Sequence, residues 1–178
     1  VDGSGRYVLS ANYGGGSVSM HPIQSDGSLA ELSDFHQHEG SSVNPQRQQE
    51  PHAHSINVDP GNGYAFCADL GLDKVLVYGL DLEAGKLTSH GAAPVTPGAG
   101  PRHVDFHPNR RFGYVINEIG NTITVFAFDE NNGVLTEVEE VSTIPTDYGE
   151  TTHTADIHLS PDGRFLYGSN RGHDSIAM

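Results

Sequence analysis

Apolar and polar positions alternate along this chain in short runs, nowhere sustained long enough for a helix. Lys74-Val75-Leu76-Val77-Tyr78 and Thr122-Ile123-Thr124-Val125-Phe126 are the clearest of these runs, rich in β-branched and aromatic residues. Successive side chains on a strand face opposite sides, so such runs suit strands packed in a sheet. Each follows another short run that closes on Asp69 or Asn117, and each leads to a Gly-containing turn where the chain restarts, at Gly85-Lys86-Leu87 and Gly133-Val134-Leu135. Gly27-Ser28-Leu29 is an earlier turn of the same kind. No stretch joins helical apolar spacing to caps, and 22 glycines in 178 residues oppose long helices. The pattern predicts an all-β chain of short strands linked by hairpins.

The runs recur in register. Val1-Asp2-Gly3-Ser4-Gly5-Arg6-Tyr7, Val58-Asp59-Pro60-Gly61-Asn62-Gly63-Tyr64, Phe106-His107-Pro108-Asn109-Arg110-Arg111-Phe112 and Leu159-Ser160-Pro161-Asp162-Gly163-Arg164-Phe165 share one grammar: an apolar residue, a turn, then a strand. The copies start 57, 48 and 53 residues apart. Four-stranded units at this period are the sequence signature of a β-propeller. The chain reads as one partial propeller domain over residues 1–178, with repeat starts near 1, 58, 106 and 159, three complete units and parts of others. Closed rings need about four to eight blades. A fragment of about three and a half blades is therefore expected, with raw flanks that invite pairing.

Charge narrows the field of partners. A formal net charge of −14 and a pI near 4.9 exclude a general basic surface for nucleic acid or anionic membrane. No apolar run approaches the ~20 residues of a membrane span. No signal peptide is visible, which decides little in a chain that begins inside a repeat; the cytoplasm is the expected compartment. Lys and Arg are absent between Arg111 and Arg164, while acids gather from Asp129 to Glu150 as a solvated rim. Arg102 and Arg171 therefore stand out as locally placed cations. Cys67, the single cysteine, lies in a strand pattern and reads as a buried structural thiol.

Glu118 and Arg171 occupy the same repeat position in successive units, directly after the Asn that closes a strand. Four residues before the repeat starts at Val58 and Phe106 stand His54 and Arg102, at the head of the strand that would line the central channel. Antiparallel neighbours bring the end of one strand to the start of the other, so these four residues can converge on one channel mouth. Two arginines can hold a carboxylate or phosphate and stabilise an oxyanion, and a His and a Glu can move protons or activate water. That set suits addition of water to an ester or lactone bearing an anionic group. A plain inter-blade salt bridge between Glu118 and Arg171 is the competing reading. The pairs His36/His38 and His52/His54 share strand faces but lack further ligands at metal spacing, so no metal is expected, and His107 reads as a turn residue.

Arg47-Gln48-Gln49-Glu50-Pro51-His52-Ala53-His54, Gly98-Ala99-Gly100-Pro101-Arg102-His103 with Phe106-His107-Pro108, Asn117-Glu118, and Ser160 to Tyr167 followed by Ser169 to Ile176 form an ordered set of motifs. This set resembles the lactonase family of seven-bladed β-propellers, which includes propeller-type 6-phosphogluconolactonases and fungal carboxy-muconate lactonizing enzymes. The resemblance covers nearly the whole chain and implies a seven-bladed ring of which this is roughly half. It implies His54, Arg102, Glu118 and Arg171 as the catalytic positions, with His52, His103, His153, Asn117 and Asn170 as substrate contacts and the polar segment from Ser33 to Glu50 as a loop over the channel mouth. It further implies a small anionic lactone as substrate, with no cofactor and no metal. In the expected mechanism Arg102 and Arg171 grip the anion and polarise the carbonyl while Glu118 or His54 activates water. A muconate-type cycloisomerase using the same arginines and a non-catalytic scaffold binding partners at its rim are the alternatives.

Overall fold

The computed structural model describes residues 1–178 and contains fourteen strands and no helix. They form four antiparallel sheets in chain order. The first holds β1 (Tyr7–Asn12), β2 (Ser17–Pro22) and β3 (Asp34–Gln37). The second holds β4 (Ala53–Val58), β5 (Tyr64–Asp69), β6 (Lys74–Asp81) and β7 (Lys86–Pro94). The third holds β8 (Pro101–Phe106), β9 (Phe112–Asn117), β10 (Thr122–Asp129) and β11 (Val134–Ser142). The fourth holds β12 (His153–Leu159), β13 (Leu166–Arg171) and β14 (Ser175–Ala177). Each sheet pairs its strands in sequence order; the inner strands pack β4 on β8 and β8 on β12, and β1 packs on β4. This is an arc of propeller blades.

The three repeat units that start at 1, 58 and 106 each hold four strands, but the sheets are offset from them by one strand, so two of the four sheets are four-stranded. The repeat places β1 at the position of β5, β9 and β13, so the first sheet has no strand at the place of β4, and the fourth sheet has none at the place of β7. At four strands to a blade, fourteen strands still make three and a half blades. No helix is long and apolar enough to cross a membrane.

The turn that opens each second strand explains the repeat grammar. Asp59 accepts hydrogen bonds from the backbone N–H groups of Gly61, Gly63 and Tyr64 at 2.7, 2.9 and 2.6 Å, and Asp2 does the same for Ser4, Arg6 and Tyr7. In the third copy the His107 ring takes over: Nδ1 accepts from the Asn109 N–H at 3.0 Å, leaving Nε2–H to donate to the Gly163 carbonyl of the next blade at 3.0 Å. The fifth residue of every copy adopts the left-handed conformation: Gly5 (φ 71), Asn62 (φ 60), Arg110 (φ 60) and Gly163 (φ 71). Only Arg110 carries a long side chain there, at a strain of ~1 kcal/mol.

Apolar side chains fill the seams between sheets. Phe66, Phe106 and Phe128 meet between the second and third blades with ring centroids 4.9 to 5.4 Å apart, edge-on or tilted, an arrangement worth ~1 kcal/mol per pair beyond burial. Val18, Met20, Ala65, Cys67 and Tyr78 fill the first seam. Cys67 is fully buried, and burial pushes its thiol well up, which leaves it inert as a nucleophile. The third seam is small, built on Ile116, Ile123 and Ile157.

Candidate active site

The inner strands share a defect. The pairing of β4 with β5 slips between Ala53 and Ser55, that of β8 with β9 between Pro101 and His103, and that of β12 with β13 between Thr154 and Ile157. His54 and Arg102 are the skipped residues in the first two. A bulge of this kind bends the strand and re-aims side chains. It explains how neighbours Arg102 and His103 reach the same place, Arg102 Nη1 lying 3.2 Å from His103 Nε2, although regular alternation would part them.

Glu118 follows β9 and is buried. Its backbone N–H donates to the Gly100 carbonyl at 2.7 Å, which ties the end of β9 to the head of β8. Its carboxylate faces three guanidinium groups: Oε1 is 2.6 Å from Arg47 Nη2, and Oε2 is 3.0 Å from Arg102 Nε and 2.8 Å from Arg171 Nη2. Burial pushes the Glu118 pKa up, but the Arg47 hydrogen bond and the charges of Arg171 and Arg47 outweigh it and hold the carboxyl below its ordinary value. Backbone carbonyls fix two of the cations, Ala155 O accepting from Arg102 at 2.6 Å and Thr154 O from Arg171 at 3.0 Å.

His54 Nε2 lies 3.8 Å from Glu118 Oε2, yet its Nδ1 is buried without a partner. Burial, followed by the Arg102 charge and His103, pushes His54 down from 6.5 to about 4, Glu118 acting in the opposite direction. The imidazole is therefore neutral at physiological pH. With His54 neutral, three guanidinium groups against one carboxylate leave a local excess of positive charge in a chain of net charge −14. An anion is the complement of such a site.

The family model for "Lactonase, 7-bladed beta-propeller" matches residues 1–178. The chain belongs to this lactonase family. It is 40% identical over 178 residues to a 6-phosphogluconolactonase of Bacillus subtilis, covering 100% of this chain and 50% of that relative. Among solved structures it is similar to a Lactobacillus plantarum protein (TM-score 0.94, 37% identity, 99% of this chain and 50% of that one). It is also similar to the periplasmic gluconolactonase of Pseudomonas aeruginosa (TM-score 0.91, 38% identity, 98% of this chain and 50% of that one). The chain thus spans about half the length of the relatives it matches.

Within this lactonase arc the structure brings together His54, Arg102, His103, Glu118 and Arg171. His52 stands one step out, stacked on Tyr13 at 4.5 Å between centroids. His153 is paired with Arg171 across β12 and β13 but makes no hydrogen bond to the cluster, and its Nδ1 is buried without a partner. The structure does not bring Asn117 and Asn170 to the site. Asn117 turns into its blade and donates to Thr122 and Thr124 at 2.9 and 2.8 Å, while Asn170 binds Thr143 and Ser175. Both tie strand ends together, because a strand residue and its successor face opposite ways.

Three residues of the cluster went unread in the sequence. Arg47 reaches Glu118 from the loop before β4 and also donates to the Tyr13 hydroxyl at 3.4 Å. Tyr13 stacks on His52 and meets His54 edge-on at 5.3 Å. Its signal was available, since Tyr13 holds the repeat position of Glu118 and Arg171. Asp156 accepts a hydrogen bond from His103 Nδ1 at 2.7 Å.

The loop that carries Arg47 is anchored by buried polar groups. Gln48 is fully buried and donates to the Leu70 carbonyl and to Asp73 at 2.8 and 2.7 Å. His38 bonds Asp69 at 2.6 Å and Tyr78 at 2.9 Å. Asp73 also receives Ser42 Oγ and the N–H groups of Gly98 and Gly100, at 2.5, 2.6 and 2.8 Å. Gly100 has no freedom to change: its φ is +66, and a Cβ there would lie 2.9 Å from Ile119 and 3.2 Å from Leu70.

Proposed function

We propose that the protein hydrolyses a lactone carrying an anionic group, a phosphorylated sugar lactone above all, at a site completed in a closed seven-bladed ring. The observation that carries this reading is the trio of Arg47, Arg102 and Arg171 gathered on one buried carboxylate in an acidic chain. The similarity to the B. subtilis 6-phosphogluconolactonase and the P. aeruginosa gluconolactonase supports the same chemistry. Arg171 is the most exposed of the three cations, at 52% of its side chain, and is placed to meet the anionic group. Arg102, held by the Ala155 carbonyl, is placed to polarise the lactone carbonyl and to stabilise the oxyanion that follows attack by water. Glu118 keeps the cations in one array. His54, pushed down to about 4 by burial, is not placed to supply the proton that muconate cyclisation would need.

Hydrolysis of 6-phosphogluconolactone, of unphosphorylated gluconolactone and of a neutral aliphatic lactone by the full-length protein tests this, each corrected for spontaneous ring opening. The expected order of kcat/KM follows the order given. Equal rates on all three, or muconate cyclisation with no lactone opening, would overturn the proposal.

A further inference from the structure

We propose that His103, oriented by Asp156, is the base that takes the proton from the attacking water. This rests on the lactone-hydrolysing reading above and assigns within it the step for which Glu118 and His54 were the expected candidates.

Geometry separates the three groups. Both Glu118 oxygens are occupied by guanidinium donors, Oε1 by Arg47 at 2.6 Å and Oε2 by Arg102 and Arg171 at 3.0 and 2.8 Å, which leaves a weakly basic carboxylate. His54 offers Nε2 only toward that same carboxylate and has nothing behind Nδ1 to hold the ring. His103 is set up differently. Arg102 Nη1, 3.2 Å from His103 Nε2, can only donate, so Nε2 carries the lone pair and Nδ1 carries the hydrogen; this one long contact is given up when Nη1 turns to the substrate carbonyl, which frees the Nε2 lone pair. That Nδ1–H points at Asp156 Oδ1, 2.7 Å away. A carboxylate behind Nδ1 fixes tautomer and ring orientation and stabilises the imidazolium that forms when Nε2 takes a proton.

Position supports the assignment. His103 lines a cavity of about 290 Å³ between the inner strands with Ser55, Asn57, Asp105, Asp156 and His158, residues of β4, β8 and β12. His103 thus links this cavity to the guanidinium array, through Arg102 Nη1 at 3.2 Å. Ser55 Oγ, on the cavity wall, is buried without a hydrogen-bond partner and is available to a water or a substrate hydroxyl. The second Asp156 oxygen is 3.0 Å from Nε2 of His158, whose side chain is 73% exposed, so the carboxylate is itself steadied from the solvent side. The groups around His103 are Arg102 and Asp105 on its own strand, His54 edge-on from β4 at 5.3 Å between centroids, Asp156 and through it His158 from β12, and Glu118 beyond Arg102.

The step balances. The water oxygen bonds to the lactone carbonyl carbon while one water proton passes to His103 Nε2, and the carbonyl electron pair moves onto the oxygen held by Arg102. Collapse of that oxyanion breaks the ring C–O bond, and the departing ring oxygen takes the proton back from Nε2 as a hydroxyl. Lactone and water become the hydroxy acid, and His103 is restored.

The experiment compares wild type, His103→Gln, Asp156→Asn and Asp156→Glu in the full-length protein across pH with 6-phosphogluconolactone, thermal melts confirming that each variant folds. His103→Gln should lower kcat by about 10²-fold or more with little change in KM, the scale of a lost general base, and should abolish the fall of kcat/KM toward acid pH. Asp156→Asn should lower kcat by a smaller factor, and Asp156→Glu should recover part of that loss. A folded His103→Gln protein with wild-type kcat and an unchanged acid limb would overturn the role of His103 and leave the lactonase reading standing. Absence of hydrolysis by the wild type would remove both.

Discussion

Asp73 and Glu118 are both buried carboxylates, and they are held by opposite kinds of donor. Asp73 accepts from two backbone N–H groups, an amide and a hydroxyl, all neutral and all fixed by the fold. Glu118 accepts from three guanidinium groups on long side chains, two of which, Arg47 and Arg171, reach solvent with 34% and 52% of their surface. The two networks meet at Gly100, whose N–H donates to Asp73 and whose carbonyl accepts from the Glu118 N–H. The neutral network fixes the backbone from which the charged one hangs. The contrast separates scaffold from chemistry: donors that cannot move hold a loop, while donors that can turn outward are able to exchange a carboxylate for a ligand.

The contrast can be broken most severely at Asp73. Replacing it by Ala strands four donors, two of them backbone, and should lower the unfolding free energy by roughly 3–5 kcal/mol in urea denaturation of the full-length protein. A loss below about 1 kcal/mol would show that the loop does not depend on it.

The charged network should carry the pH dependence instead. His54 has a folded pKa near 4 against 6.5 unfolded, so the unfolded chain binds the extra proton between those values. Stability is then fully present above pH 6.5 and declines toward pH 4, by on the order of 2–3 kcal/mol after allowing for residual solvation. Glu118, with its pKa depressed, adds a contribution present above its ordinary 4.5 and lost as pH falls through its folded value. His54→Gln should flatten the decline between pH 6.5 and 4 in denaturation midpoints, and an unaltered slope would refute the assignment.

Glu118→Gln should abolish turnover, by about 10²-fold or more, yet cost only ~1–2 kcal/mol, because Arg47 and Arg171 can swing to water. A destabilisation equal to that of Asp73→Ala would erase the distinction between the two networks. Smallest of all, Arg47→Ala should change stability by less than about 1 kcal/mol, the ordinary worth of a partly exposed pair, while raising KM for the anionic substrate. Stability and KM both unchanged would remove Arg47 from the site.

The sequence showed the strands, the repeat and the family because each rests on a periodic pattern that every blade repeats. It also placed His54, Arg102, Glu118 and Arg171, since register alone brings equivalent positions together in neighbouring blades. Arg47 was hidden for the opposite reason. It lies in a segment with no counterpart in the other units, and its reach depends on Gln48 burying itself against Leu70 and Asp73, a tertiary event. Asn117 and Asn170 had the right register and the wrong direction, as the pleat turns them into the blade toward Thr124 and Thr143. The repeat as read in the sequence begins at the second strand of a sheet, so its units and the sheets are offset by one strand.

The ladder slip at the head of β4, β8 and β12 has a wider consequence. At each slip the inner strand holds residues to which the sheet assigns no partner, His54 in one blade, Arg102 in the next and Ala155 with Asp156 in the third. Such a place acts as a socket: its occupant can be exchanged without disturbing the pairing on either side. A ring assembled by copying blades thereby inherits such a position at the head of each inner strand. Architecture is propagated by duplication, and reactivity is written afterwards, one socket at a time.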